Sequence, residues 1–142
     1  MMKKQNMKRF IQTFMFVLLM FSIGNISDTF ASNFTQSYAR SVMHSRKTKI
    51  YSGTWYGSSV TVYIRWEKYS REGYAVDGVV LSKRTGDIIE IFSGNNDAFR
   101  QMRVSLSDGS SIRLRAKVSR RSSRVRWKTW RASGIRFSRR FP

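Results

Sequence analysis

The sequence predicts an all-β domain, an antiparallel up-and-down barrel of about eight strands behind an N-terminal signal peptide, with a two-sheet β-sandwich as the alternative. Two observations carry this prediction. From residue 49 to residue 141, short runs of alternating apolar and polar residues recur about every 11 residues, with turn residues between them. No stretch after residue 31 repeats apolar residues at the i, i+3, i+4, i+7 spacing of a helix, so crossover helices are not expected and successive strands must pair antiparallel. Closing such a series into a barrel also hides the two edges that an open sheet exposes.

Taken in order, the chain opens with Lys3, Lys4, Lys8 and Arg9, followed by an apolar stretch from Phe10 to Ile23 and by Thr29-Phe30-Ala31. A basic start, an apolar centre and small residues before a cleavage point make residues 1–31 an export signal removed after Ala31, and the protein periplasmic or secreted. The apolar stretch is shorter than the about 20 residues a spanning helix needs. Residues 32–48, rich in Ser, Asn and Arg and without a period, read as a flexible polar arm. Residues 49–142 form the single folded domain.

Within it, Lys49 to Tyr56 is the first strand and Ser59 to Glu67 the second, where Val60, Val62, Ile64 and Trp66 alternate with polar neighbours. Gly73 to Lys83 and Asp87 to Ser93 flank Arg84-Thr85-Gly86 as a hairpin, and Gly94-Asn95-Asn96-Asp97 reads as a loop by its turn residues. Phe99 to Leu106 and Ser110 to Val118 flank Ser107-Asp108-Gly109, a turn that suits positive φ. Ser122 to Trp130 and Ser133 to Arg140 close the series. The inward set is then Val60, Val62, Ile64, Trp66, Met102, Val104, Leu106, Ile112, Leu114, Val125, Trp127, Ile135 and Phe137. It is bulky enough to fill a small barrel.

The charge is as informative as the pattern. The whole chain carries 27 Lys and Arg against 8 Asp and Glu, and residues 32–142 carry 23 against 7, a net +16 in which 17 of the cations are Arg. The planar guanidinium fork favours two-point recognition of phosphate, sulfate or carboxylate. With no Cys there is no disulfide, thiolate metal site or thiol nucleophile, and the single His44 leaves no imidazole pair. The acids Glu67, Glu72, Asp77, Asp87, Glu90, Asp97 and Asp108 are scattered, mostly beside turns. No enzyme activity, metal or cofactor is expected.

Two adjacent strands carry the functional signal. Arg113, Arg115 and Lys117 alternate with Ile112, Leu114, Ala116 and Val118, and Arg124, Arg126 and Lys128 alternate with Val125, Trp127 and Thr129. Alternation puts the cations on one face of each strand. Together with Arg136 on the last strand they make a basic outer wall, and Trp130, on the cationic parity, supplies a stacking or interfacial surface. Like charges facing each other across a sheet are destabilising unless solvated or neutralised by a partner. The expected function is therefore noncatalytic binding of a polyanion at Arg113, Arg115, Lys117, Arg124, Arg126, Lys128, Trp130 and Arg136. Cell-envelope phosphate, acidic polysaccharide, nucleic acid and an anionic membrane surface all qualify. The alternatives are an acidic protein partner and a small ligand inside the barrel.

Gly53-Thr54-Trp55-Tyr56 on the first strand, with Arg136, Arg139 or Arg140 on the last, resembles the calycin arrangement of lipocalins and avidins. The resemblance implies a barrel in which the first-strand Trp packs under a cation of the final strand and closes the bottom. Gly57 stands where avidins carry a ligand-binding Asn after this motif, so the resemblance does not extend to biotin.

Overall fold

The computed structural model describes residues 28–97 and 100–141. Residues 1–27 of the expected signal peptide, and Phe99 at the expected start of a strand, lie outside the described residues. A helix, α1 (Asp28–Met43), precedes β1 (Thr48–Trp55), β2 (Ser58–Lys68), β3 (Gly73–Ser82), β4 (Ile88–Asp97), β5 (Gln101–Leu106), β6 (Ser111–Arg121), β7 (Arg124–Ala132) and β8 (Ile135–Arg140). Each strand pairs antiparallel with its sequence neighbour, and β8 pairs with β1, so the eight strands form one closed up-and-down barrel. Closure runs through Ser52↔Ser138, Gly53↔Phe137, Thr54↔Arg136 and Trp55↔Ile135. A Cβ on Gly53 would run into the Arg136 carbonyl, so glycine permits the close approach of the two closing strands.

The β3–β4, β5–β6 and β7–β8 hairpins turn at one end, the bottom, where Gly86, Gly109 and Gly134 all take positive φ. The β1–β2 turn is there too. Three aromatic rings fill the interior above these turns: Trp55 stacks on Phe92 at 5.9 Å and on Phe137 at 6.4 Å between centroids. Phe92 fits because its register partner is Gly78, where a Cβ would collide with the ring. Val60, Val62, Ile64, Met102, Val104, Leu106, Leu114, Ile135 and Phe137 are all buried in the same core, as their parity predicts.

Three expectations need correction. The polar arm is instead a helix from Asp28 to Met43, including the last four residues of the segment expected to be removed. Tyr38, Ala39 and Val42 of α1 are buried against Val79 and Ile91 on the outside of β3 and β4. Among the side chains described, the stripe holds Tyr38, Ala39 and Val42, and the Ser, Gln and Arg between and around them obscure its period in the sequence. Second, Gly94 to Asp97 is not a loop but the end of β4, paired on both sides. Gly94 belongs there because a Cβ would strike the Arg103 carbonyl of β5. Third, the orientation of β7 is inverted, as described below.

The helix is held by a polar cluster as well as by apolar contact. Asp77, 3 % exposed on the outer face of β3, accepts hydrogen bonds from Tyr38 Oη (2.5 Å), Ser93 Oγ (2.7 Å) and Arg65 Nη2 (2.8 Å) and Nε (3.2 Å). Arg65 Nη1 also donates to Ser41 Oγ at 3.2 Å, so the guanidinium ties β2 to α1. Arg65 and Asp77 are register partners, which explains their alignment. Burial, reinforced by the Asp77 charge, pushes the Tyr38 phenol far above its ordinary range and keeps it a proton donor.

Two outcomes follow. Asp77→Asn leaves a half-buried guanidinium without its counter-charge and is expected to cost about 2–4 kcal/mol, read from denaturant unfolding midpoints. Because the folded state retains the Tyr38 proton that the unfolded chain releases near pH 10, stability is complete below that pH and falls as pH rises above it. Unfolding midpoints between pH 8 and pH 11 should show this fall, shallower in Tyr38→Phe; an unchanged fall would remove Tyr38 as its source.

Candidate functional site

The closed barrel gives every strand residue a side, and the cross-strand register shows which cations share one. On the outer face of β5 to β8, Arg103 stands opposite Arg113, Arg115 opposite Arg131, and Arg131 opposite Arg136. All of these side chains are exposed. One row thus runs Gln101, Arg115, Arg131, Arg136 and Thr54 across five strands, with the Arg103↔Arg113 pair beside it. Neighbouring strands lie about 5 Å apart and same-face residues about 7 Å apart along a strand, so these arginines rise side by side from adjoining backbone positions.

The upper part of the wall continues the pattern. Lys117 stands opposite Thr129, and Trp127 lies between Ser119 of β6 and Arg140 of β8. Thr129 Oγ1 and Ser138 Oγ, 2.7 Å apart, share a hydrogen bond between the two rows. Among the described residues the only ion pair is Arg65–Asp77, which lies on the α1 side of the barrel. Among the described residues no acid is paired to the wall cations; Asp97, the register partner of Gln101 at one end of the row, has a side chain outside the described residues. Asp108, the acid nearest in sequence, is engaged in its own turn, accepting from Ser110 N at 2.8 Å and Ser110 Oγ at 2.5 Å. Those bonds hold its carboxyl below the usual range.

The structure thus unites Arg113, Arg115, Lys117 and Arg136 as expected and separates the other four expected site residues from them. Trp130 is fully buried, opposite Ala116 and Phe137, while Trp127 is 40 % exposed on the basic wall. The indole on the outer basic wall is Trp127, not Trp130. Lys128 shares Trp130's inward parity, with its ammonium 4.5 Å from the Trp130 ring centroid and 5.9 Å from that of Trp66. Arg124 and Arg126 lie at the exposed tip of the β6–β7 hairpin, beyond a bulge in which the register passes from Ser119↔Trp127 to Arg120↔Val125 and leaves Arg126 as the extra residue. The side chain of Val125 lies outside the described residues.

The inversion follows from parity. Trp127 and Trp130 are three residues apart and must face opposite sides, so only one indole enters the core. It is Trp130, opposite Ala116 and Phe137 and against the Trp66 ring, while Trp127 stands outside opposite Ser119 and Arg140. Sequence reasoning also missed Arg103, Arg131 and Arg140, of which Arg131 and Arg140 lie at the ends of their runs. The signal that finds them is the register itself, since each stands directly across from a residue already on the outer wall.

Elsewhere, a groove of about 650 Å³ runs between α1 and the β3–β4 hairpin, bordered by Gln36, Arg40, Met43, Ile88, Ile89 and Glu90. It mixes apolar and charged residues. Among the described residues no helix is long and apolar enough to cross a membrane. No protein family, no curated protein and no solved structure matches the chain.

The two tryptophans should respond oppositely to truncation. Trp130→Ala is expected to destabilise the fold by about 3–5 kcal/mol, and Trp127→Ala by less than about 1 kcal/mol, in urea unfolding. Equal losses would contradict the assigned orientation of β7.

Proposed function

We propose that this chain is an exported, noncatalytic binding protein that engages a polyanion through the outer wall of β5 to β8. The observation that carries the reading is the direct cross-strand opposition of arginines, Arg103↔Arg113 and Arg115↔Arg131↔Arg136, with no acid paired to any of them among the described residues. Like charges set opposite one another work against the sheet. A ligand that places an anionic group between neighbouring guanidinium groups turns the repulsion into charge-assisted hydrogen bonds. A repeating anion such as cell-envelope phosphate, acidic polysaccharide or nucleic acid does so along the whole row.

Trp127 adds a flat apolar surface beside Arg140 and Lys117, suited to a base or a sugar face. The calycin resemblance enters the same proposal only at the level of barrel closure, supported by the up-and-down topology with Trp55 packed low against Phe92 and Phe137. Arg136 and Arg140 face the outer wall and Arg139 the upper end, so the Trp–cation pair is not part of it. The filled lower interior favours the wall over a deep apolar cavity as the principal binding surface.

The test is retention on heparin and on single-stranded DNA in a salt gradient, with neutral dextran as control. The wild-type chain should elute late from both anionic columns. The variant Arg103→Ala/Arg113→Ala/Arg115→Ala/Arg131→Ala/Arg136→Ala should elute at much lower salt. On single-stranded DNA each lost phosphate contact should reduce the log–log salt slope by about 0.7. Retention unchanged in the fivefold variant would remove the wall as the site, and binding only to an acidic protein would remove the polyanion.

A further inference from the structure

We propose a second binding site, independent of the basic wall, at the upper end of the barrel: Lys128, Arg139, Trp130 and Asn96 receive a small hydroxylated organic anion, such as a sugar phosphate. All four side chains have inward parity. Lys128 is the register partner of Arg139, Trp130 of Phe137, and Asn96 of Met102, and both Phe137 and Met102 are core residues. The lower interior is occupied by the Trp55, Phe92 and Phe137 rings, so a ligand is confined to the mouth.

Two features mark the mouth as incomplete. Trp130 Nε1 and Asn96 Oδ1 are buried with no hydrogen-bond partner, although their residues are 0 % and 2 % exposed. Buried polar atoms are nearly always satisfied, so one orphaned donor and one orphaned acceptor in the same region call for a ligand that carries both complements. The two are linked through the aromatic lining, since the Trp66 ring lies 6.0 Å from Trp130 and 6.1 Å from Tyr74, the register partner of Asn96.

The second feature is charge. Lys128 and Arg139 face each other across neighbouring strands, partly buried, with no acid paired to either among the described residues. Burial pushes the Lys128 ammonium below its usual pKa, as expected of a cation lacking a counter-charge. The nearby hydroxyl is that of Tyr51, whose pKa is raised by burial; the indole N–H groups of Trp130 and Trp66 and the Arg139 charge oppose that rise. The Trp130 N–H faces the Tyr51 oxygen but falls short of hydrogen-bond geometry with it. An anionic group accepting from Lys128, Arg139 and Trp130 Nε1 would neutralise both cations and satisfy the orphan donor. A hydroxyl on the same molecule would donate to Asn96 Oδ1. The partly exposed faces of Trp66 and Tyr74 would flank its carbon skeleton.

The indole resonances of the whole chain read this directly, because four tryptophans give four indole N–H signals. Titration with glucose 6-phosphate to about 10 mM should move the Trp130 signal and leave that of Trp127 in place. Lys128→Met should weaken the response about tenfold or more, and Arg139→Gln provides the same test if that variant fails to fold. The response should persist in Arg113→Ala/Arg115→Ala/Arg131→Ala, which separates this site from the wall. No Trp130 shift, a shift that survives loss of Lys128, or an equal response to inorganic phosphate would overturn the proposal, the last by removing the role of the hydroxyl.

Discussion

Closure of β1 on β8 is the constraint from which the other features follow. In an open sheet a strand can slip by one residue and exchange its faces, whereas in a closed barrel each register is locked by the two beside it. Gly53 makes the closure possible by letting β8 approach where any side chain would meet the Arg136 carbonyl. Once Gly53 lies opposite Phe137, Phe137 points inward and Arg136 outward. The same alternation propagates through Trp130 and Arg131 to Ala116 and Arg115. The aromatic core and the arginine rows are thus two sides of one register.

The barrel has two outer sides with opposite electrostatic solutions. Where α1 covers β3 and β4, Asp77 is buried, and it is neutralised by Arg65 and saturated by Tyr38 and Ser93. A buried charge without such partners would be far more costly than the pair. On β5 to β8 the cations stay in water, which screens their repulsion where, among the described residues, no acid is paired to them. That exposure leaves the wall able to exchange solvent for an anionic partner.

Legibility in the sequence varied strand by strand. β2, β5, β6 and β8 carry the clearest alternation, and the residues buried on them, such as Val62, Val104, Leu114 and Phe137, have the inward parity it assigns, although β6 ends on an exposed Val118 and β8 turns Arg139 inward. β7 has an aromatic residue on each parity, so its pattern is satisfied by either orientation. The end of β4 consists of residues with turn propensity, yet Gly94 is required by a neighbouring strand and Asn96 faces the interior. Among its described side chains α1 buries Tyr38, Ala39 and Val42, a stripe that polar neighbours obscure in the sequence. Of the candidate wall, Arg113, Arg115, Lys117 and Arg136 were legible because each sits within a clean alternation. Arg103, Arg131 and Trp127 required knowledge of what lies across the strand.

By itself, the sequence determined that this is an all-β domain with strands in serial hairpin order, because alternation and turn chemistry are local properties of neighbouring residues. It also determined that the second half is strongly cationic, since composition does not depend on folding. Only the tertiary structure decided which way β7 faces, which arginines oppose one another, and where α1 docks. The physical reason is that a period of two is unchanged by a one-residue exchange of faces. The choice between faces falls to the packing around Trp130, the approach allowed by glycine, and partners that are distant along the chain.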